Sequence, residues 1–285
     1  KNSIQYYPIF QEWLLQYVVV IGEYLDTDKS WNNQYYNKIV QSGEFNMNSG
    51  WYEKGNIWRT FNEWFSRTLS CPSESHPISN KDDNSIVTSP ADSVPQGVWK
   101  INGNGQLNKN VKVKLLDYKN IHVDLLQGSK YANEFANGTL THAFLNVNDY
   151  HRYHYPLTGE VIEHHTVTRG VTLSVTWSEQ EKKFIPNDSL GWQYKQTHAY
   201  AILKTEKYGL VALIPMGMAQ VSSCNLTWPI LGHHNKGEGL GNFLFGGSDF
   251  MMLFQSKVKF TMMAPKNDDG TYKHILMGEK YGKLS

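Results

Sequence analysis

The sequence predicts an α+β fold, a helical N-terminal segment packed on a mostly antiparallel, β-rich body. Three observations carry this. Apolar residues recur with helical period chiefly near the start of the chain. A stretch from Cys71 to Asn84, rich in Pro, Ser, Asn and Asp, shows no periodicity and reads as a linker or surface loop. Beyond it come short β-prone runs separated by Gly, Asn and Asp turns. The 285 residues thus divide into a helical segment, 1–70, and a β-rich domain, 71–285.

Taken in order, Phe10, Trp13, Leu14, Tyr17, Val18, Ile21 and Leu25 fall on one face of a helix spanning Ile9 to Leu25. The apolar run inside it is broken by Gln16 and Glu23 and falls short of the roughly 20 residues that a bilayer span needs. Such a helix packs on the body or, less commonly, lies on a membrane surface. Trp58, Phe61, Trp64, Phe65 and Leu69 predict a second helix over Ile57 to Leu69, and Val123 to Phe135 reads as a third. Strands are expected at Val111 to Leu116, Thr166 to Trp177, Tyr200 to Thr205, Leu210 to Ile214 and Met251 to Phe260.

The hydrophobic fraction of 40% and charged fraction of 19% describe a globular chain rather than a disordered one. A net charge of +1 without a Lys/Arg cluster argues against nucleic acid as a partner. The same balance gives no electrostatic pull toward an anionic bilayer, so any peripheral membrane contact has to be apolar. Cys71 and Cys224 are too few for a disulfide framework and lack zinc-site spacing, which suits a cytoplasmic or peripheral-membrane location. Sequons at Asn137, Asn187 and Asn225 are what an Asn-rich chain produces by chance. No initiator Met precedes Lys1, so a leader or anchor upstream is compatible with the sequence. A homo-oligomer is compatible with it too.

Three patterns hold chemically useful residues: Ser89-Pro90-Ala91-Asp92, the stretch Asp149 to Pro156 with His151 and His154, and Lys236 to Ser248 ending in Phe245-Gly246-Gly247-Ser248. Together they supply an acid, two imidazoles and a hydroxyl, the parts of a nucleophilic triad, although residue types alone select no particular combination. Two glycines before Ser248 permit a strained backbone with an exposed carbonyl, but a plain Gly-Gly turn is the commoner origin of such a stretch. Metal binding by His151 and His154 would need a third ligand, from His164-His165 or His233-His234, and neither pair has a recognised spacing.

These patterns, in this order, resemble those of the phosphatidylserine decarboxylase family of pyruvoyl-dependent decarboxylases, which includes relatives acting on free amino acids such as tryptophan. The resemblance runs from about Phe61 to Phe254. Phe61-Asn62-Glu63-Trp64-Phe65-x-Arg67-x-Leu69 is similar to the family's leading helix, Ser89 to Asp92 to its acidic motif, Asp149 to Pro156 to its histidine motif, and Lys236 to Phe254 to its processing site. The resemblance implies that Ser248 is nucleophile and precursor of the pyruvoyl cofactor, that His154 deprotonates it, that Asp92 orients His154, and that His151 serves decarboxylation. In the implied cleavage Ser248 Oγ attacks the Gly247 carbonyl and the amide becomes an ester. β-Elimination then releases the Gly247 carboxylate, and the dehydroalanine left at 248 tautomerises and hydrolyses to pyruvoyl, losing ammonia. The products are chains 1–247 and 248–285, the second a self-derived partner of the first.

Two positions depart from the family pattern: Ser93 stands where Gly is common, and Asp249 where a small uncharged residue is common. A carboxylate beside the scissile bond disfavours an oxyanion unless it is turned away or paired, so slow or conditional processing is expected. The segment Ile214 to Ser223 looks more like relatives that decarboxylate free amino acids, although a buried strand with Met as gap-filler accounts for it equally well. The expected function is removal of the α-carboxylate from an amine-bearing substrate, phosphatidylserine by family default or a free, aromatic L-amino acid. A non-catalytic family member with an intact Gly247-Ser248 bond, acting as a binding protein, and a metal-dependent hydrolase are the alternatives.

Overall fold

A strand buried on one face alternates polar and apolar residues, whereas one buried on both faces does not. The run Phe250 to Phe254 has no polar member. In the computed structural model of the protein, which describes residues 4, 7–107, 120–170, 175–180, 182–186, 196–217, 223–245 and 248–285, that run lies inside a seven-stranded antiparallel sheet with an apolar core on each face.

Helices α1 (Pro8–Leu25), α2 (Asn33–Ser42), α3 (Phe61–Phe65) and α4 (Pro72–Ser75) precede the strands, and α5 (Ile121–Leu125) sits among them. The strands are β1 (Ile86–Thr88), β2 (Val94–Lys100), β3 (Thr139–Leu145), β4 (Arg152–His154), β5 (Gly159–Val167), β6 (Val175–Ser178), β7 (Lys183–Pro186) and β8 (His198–Thr205). They continue with β9 (Gly209–Gly217), β10 (Cys224–Leu226), β11 (Gly232–His234), β12 (Gly239–Phe243), β13 (Ser248–Phe254), β14 (Phe260–Met262) and β15 (Lys280–Leu284). The large sheet runs β11-β5-β8-β9-β13-β3-β2, and the small sheets are β10-β12-β4, β1-β15-β14 and β6-β7.

Side chains alternate across β13. Phe250, Met252 and Phe254 enter one core together with Tyr153 of β4 and Leu240 and Phe243 of β12. Met251 and Leu253 enter the other, together with Leu125 of α5. This double burial explains why the pattern showed no period of two. The expected strand Met251 to Phe260 stops at Phe254, because a turn closed by Val258 N donating to Gln255 O reverses the chain into β14.

The first helix forms over the expected residues, helped by Pro8 at its start. It buries none of its side chains; Ile9, Trp13, Val19 and Val20 are exposed. No helix among the described residues is long and apolar enough to cross a membrane. The expected helix over Ile57 to Leu69 shrinks to α3, because Thr60 caps it by accepting from Glu63 N at 3.1 Å, leaving Trp58 outside. The third expected helix, Val123 to Phe135, is broken at Gly128, whose φ of 85° is left-handed, into α5 and a 3-10 turn, Ala132–Phe135. The expected strand Val111 to Leu116 and parts of Thr166 to Trp177 and Ile214 to Ser223 lie outside the described residues.

Trp31, Trp64 and Phe65 form a buried aromatic cluster, and Phe245, three residues before Ser248, packs against it. Phe65 also reaches His151, ring centroids 4.0 Å apart. Lys236 fixes the far side. Its Nζ donates to the carbonyls of Asn80, Asp83 and Ile86 at 2.8, 2.7 and 2.8 Å, and burial lowers its pKa to about 8. Three carbonyl acceptors match the three donors of an ammonium group.

Candidate active site

Asp92 lies in the turn between β1 and β2 and is almost wholly buried. One carboxylate oxygen accepts from Met277 N at 2.8 Å, and His76 Nε2 lies 3.1 and 3.2 Å from the two oxygens. His76 Nδ1 in turn meets Ser75 Oγ at 2.9 Å, so both ring nitrogens are engaged. The imidazole that Asp92 holds is therefore His76, not His154 as expected. The stretch read as a linker delivers it, because α4 ends directly before His76.

His154 ends β4, and its backbone N–H donates to Pro90 O at 2.8 Å, which ties it to the Asp92 turn. Its Nδ1 meets Gly237 O at 2.9 Å and its Nε2 meets the Tyr150 hydroxyl at 3.3 Å. A carbonyl only accepts, so Nδ1 carries the proton and the lone pair resides on Nε2. Burial, the largest influence, lowers the His154 pKa to about 4. His154 is neutral at pH 7, with its basic nitrogen turned to a phenol whose own pKa burial raises strongly.

His151 is wholly buried, with Nδ1 on Asp149 O at 2.9 Å and its carbonyl accepting from Phe243 N. The Asp149 carboxylate bonds His274 Nε2 at 2.9 Å and Asn146 N at 2.7 Å. Burial pushes the Asp149 carboxyl up against the opposing pull of His274, while the bond to Asp149 raises His274.

Ser248 opens β13, in register with Leu145 of β3 and Gly217 of β9. Its Oγ is completely buried and has no hydrogen-bond partner among the described residues. A buried hydroxyl without a partner costs about 1–3 kcal/mol, a cost associated with functional positions. Asp249 points to the opposite face of the strand, where His142 Nε2 of β3 meets its carboxylate at 2.5 Å, both side chains fully buried. The charge thought to obstruct cleavage is both turned away and paired. Gly247 lies outside the described residues.

Asp92, His154 and His151 thus gather through the Pro90 carbonyl, the Asp149-Tyr150 pair and β12, but no direct hydrogen bond among the described residues joins Asp92, His154 and Ser248. Sequence reasoning missed His76, Tyr150, His142 and His274; only Tyr150 sat inside a pattern already singled out. The rival histidine pairs lie on β5 and β11, and among the described residues no three His, Cys, Asp or Glu side chains gather as a metal-binding group.

The sequence profile described as phosphatidylserine decarboxylase matches residues 61–283. A phosphatidylserine decarboxylase proenzyme of Fusobacterium nucleatum is 33% identical over 196 residues, covering 61% of this chain and 63% of that protein, so the chain spans somewhat less than two thirds of this relative. The Clostridium tetani phosphatidylserine decarboxylase proenzyme is 28% identical over 267 residues, covering 93% of this chain and 83% of that one. The L-tryptophan decarboxylase of Psilocybe cubensis is 28% identical over 167 residues, 53% of this chain and 37% of that one.

Proposed function

This chain belongs to the phosphatidylserine decarboxylase family, and from that premise we propose that it is a decarboxylase that cleaves itself at Gly247-Ser248 and makes a pyruvoyl group from Ser248. The observation that carries the reading is the Ser248 hydroxyl, fully buried and, among the described residues, unpartnered at the head of the strand that has a core on each face. In a pyruvoyl group Cβ of residue 248 is a methyl and Cα the ketone, and losing Oγ removes no side-chain hydrogen bond among the described residues, so the position fits the group. A pyruvoyl group supplies an electron sink for loss of carbon dioxide from an amine-bearing substrate.

The chain's own residues divide the remaining work. His154 is the base for cleavage, because its Nε2 lone pair is held outward by the Nδ1–H bond to Gly237 O. The Tyr150 hydroxyl, 3.3 Å from that nitrogen, holds its orientation. Asp92 fixes the neighbouring turn through His76 and Met277 N. His151, clamped between the Asp149 carbonyl and Phe65, protonates the carbon that loses its carboxylate, or positions that carboxylate.

Phosphatidylserine is the proposed substrate, in keeping with the names of the relatives matched over most of this chain. The exposed apolar residues of α1 suit a peripheral contact with the lipid surface. A free amino acid is the second reading, favoured by the similarity to the tryptophan decarboxylase. Carbon dioxide release from phosphatidylserine vesicles, measured against tryptophan, tyrosine and serine, separates the two. A full-length chain inert toward all four, with no fragment on intact-mass analysis, defeats both and leaves a binding protein.

Processing should also have an unusual pH profile. Since His154 acts in its neutral form and burial lowers its pKa to about 4, the base is fully available from neutral pH down to about pH 5 and is lost only as pH falls through about 4. An imidazole at its ordinary value would lose half its activity near pH 6.5. Cleavage rates across pH 4–8 give the comparison, and a midpoint near 6.5 removes His154, as placed here, from the role of base.

A further inference from the structure

Arg67 is the one buried guanidinium beside this site, 1% exposed, with no carboxylate within ion-pair distance among the described residues. It is clamped between rings: Cζ lies 4.5 Å from the Tyr52 centroid and 5.1 Å from that of Trp64. Its hydrogen bonding is weak: Nη2 donates to Phe45 O at a long 3.4 Å, the guanidinium also acts on the Tyr52 hydroxyl as a side-chain hydrogen-bond partner, and among the described residues Nε and Nη1 meet no acceptor of good geometry. A guanidinium stays charged at any physiological pH, and a buried charge without an anion is strongly unfavourable. Cation–π contacts offset part of that and leave the N–H groups unsatisfied.

The nearby carboxylates are spent elsewhere. Asp92 serves His76 and Met277 N, and Asp149 serves His274 and Asn146 N. Both act electrostatically on Tyr52, as Arg67 does, and Arg67 also acts on Tyr150, the partner of His154. Arg67 therefore borders the site, while Phe65, two residues earlier, touches His151.

Resting on the decarboxylase reading, we propose that Arg67 is a substrate-binding residue that takes, on Nε and Nη1, an oxyanion which stays on the substrate through the reaction, namely a phosphodiester. Physical chemistry selects that anion over the α-carboxylate. An arginine gripping the carboxylate that is to leave would stabilise the ground state and raise the barrier, whereas one gripping a remote phosphate holds substrate and transition state alike. Guanidinium is also the group best matched to phosphate oxygens. Serine and tryptophan carry no second anion, so the residue discriminates a phospholipid headgroup from a free amino acid.

The test uses the full chain carrying Ser248→Ala, so that cleavage plays no part, with glycerophospho-L-serine as probe and L-serine and L-tryptophan as controls, each titrated by calorimetry. Arg67→Met is expected to weaken binding of glycerophospho-L-serine by at least about tenfold, the loss of hydrogen bonds to a charged group. Binding of the two amino acids should be unaffected, and the thermal midpoint equal or higher, because the uncompensated charge has gone. A purely structural arginine predicts the opposite, a lowered midpoint with unchanged affinity, and that result overturns the proposal. So does an equal loss for L-serine, which would place the α-carboxylate on Arg67, and so does failure of the parent chain to bind the probe. Should Arg67→Met not fold, Arg67→Lys carries the same comparison, since it keeps the charge and loses the planar fork. Carbon dioxide release by the unsubstituted chain from phosphatidylserine vesicles decides the underlying reading separately.

Discussion

Replacing Ser248 with alanine should leave the protein as one uncut polypeptide on a denaturing gel, where the unsubstituted chain should give fragments 1–247 and 248–285. The acyl shift needs an oxygen on the β-carbon of residue 248, and alanine offers none; because Oγ makes no hydrogen bond among the described residues, its removal takes away chemistry without taking away a contact. Stability should be unchanged or slightly higher. His154→Gln keeps a donor toward Gly237 O but loses the basic Nε2, and should slow cleavage by about 10²–10⁴-fold. Asp92→Asn should have the smaller effect, since its carboxylate bonds His76 and Met277 N rather than His154. Equal slowing by the two variants would mean that Asp92 turns from His76 to His154 in the reacting chain. Fragments from the Ser248→Ala chain would end the self-processing reading outright.

What the sequence disclosed and what it withheld follow from the range over which each feature acts. Period in the apolar residues is local, so α1 and the change to strands beyond Asn84 were legible. Where a cap or a left-handed glycine intervened, at Thr60 and Gly128, the same periodicity overran the true element. Ser248, His154 and Asp92 were reached through the resemblance of whole motifs, not through residue type. Their partners were out of reach because side-chain pairing depends on three-dimensional approach. His76 meets Asp92 across 16 positions from a stretch with the composition of a linker, and His274 meets Asp149 across 125. Gly237 serves His154 through its carbonyl, a group that every residue has and no motif marks. Arg67 stood in the motif from the start, yet its burial between Tyr52 and Trp64, with no carboxylate at ion-pair distance among the described residues, is a fact of three dimensions alone.

The pair His142–Asp249 should carry a large stability effect. The two residues are 107 positions apart and meet because β13 pairs with β3 in a register that sets Met251 opposite His142 and Asp249 opposite Phe144, leaving the imidazole diagonal to the carboxylate. Both side chains are inaccessible to solvent, so neither polar group can turn to water if its partner is lost. His142→Leu should cost about 1–3 kcal/mol in denaturant unfolding, the range for a buried polar group left without its hydrogen-bond partner. His142→Leu combined with Asp249→Leu should recover most of that, because two apolar groups need no partner on a face already filled by Met251 and Leu253. Losses that simply add would show that the two side chains are not coupled. Cleavage gives a second reading of the same geometry. Asp249 faces away from Ser248 and is paired with His142, so Asp249→Asn should leave the rate of chain cleavage within about threefold of the unsubstituted value, well below the effect of losing an oxyanion contact. Acceleration by tenfold or more would mean that the carboxylate acts on the scissile bond through the strand, and that pairing with His142 does not silence it.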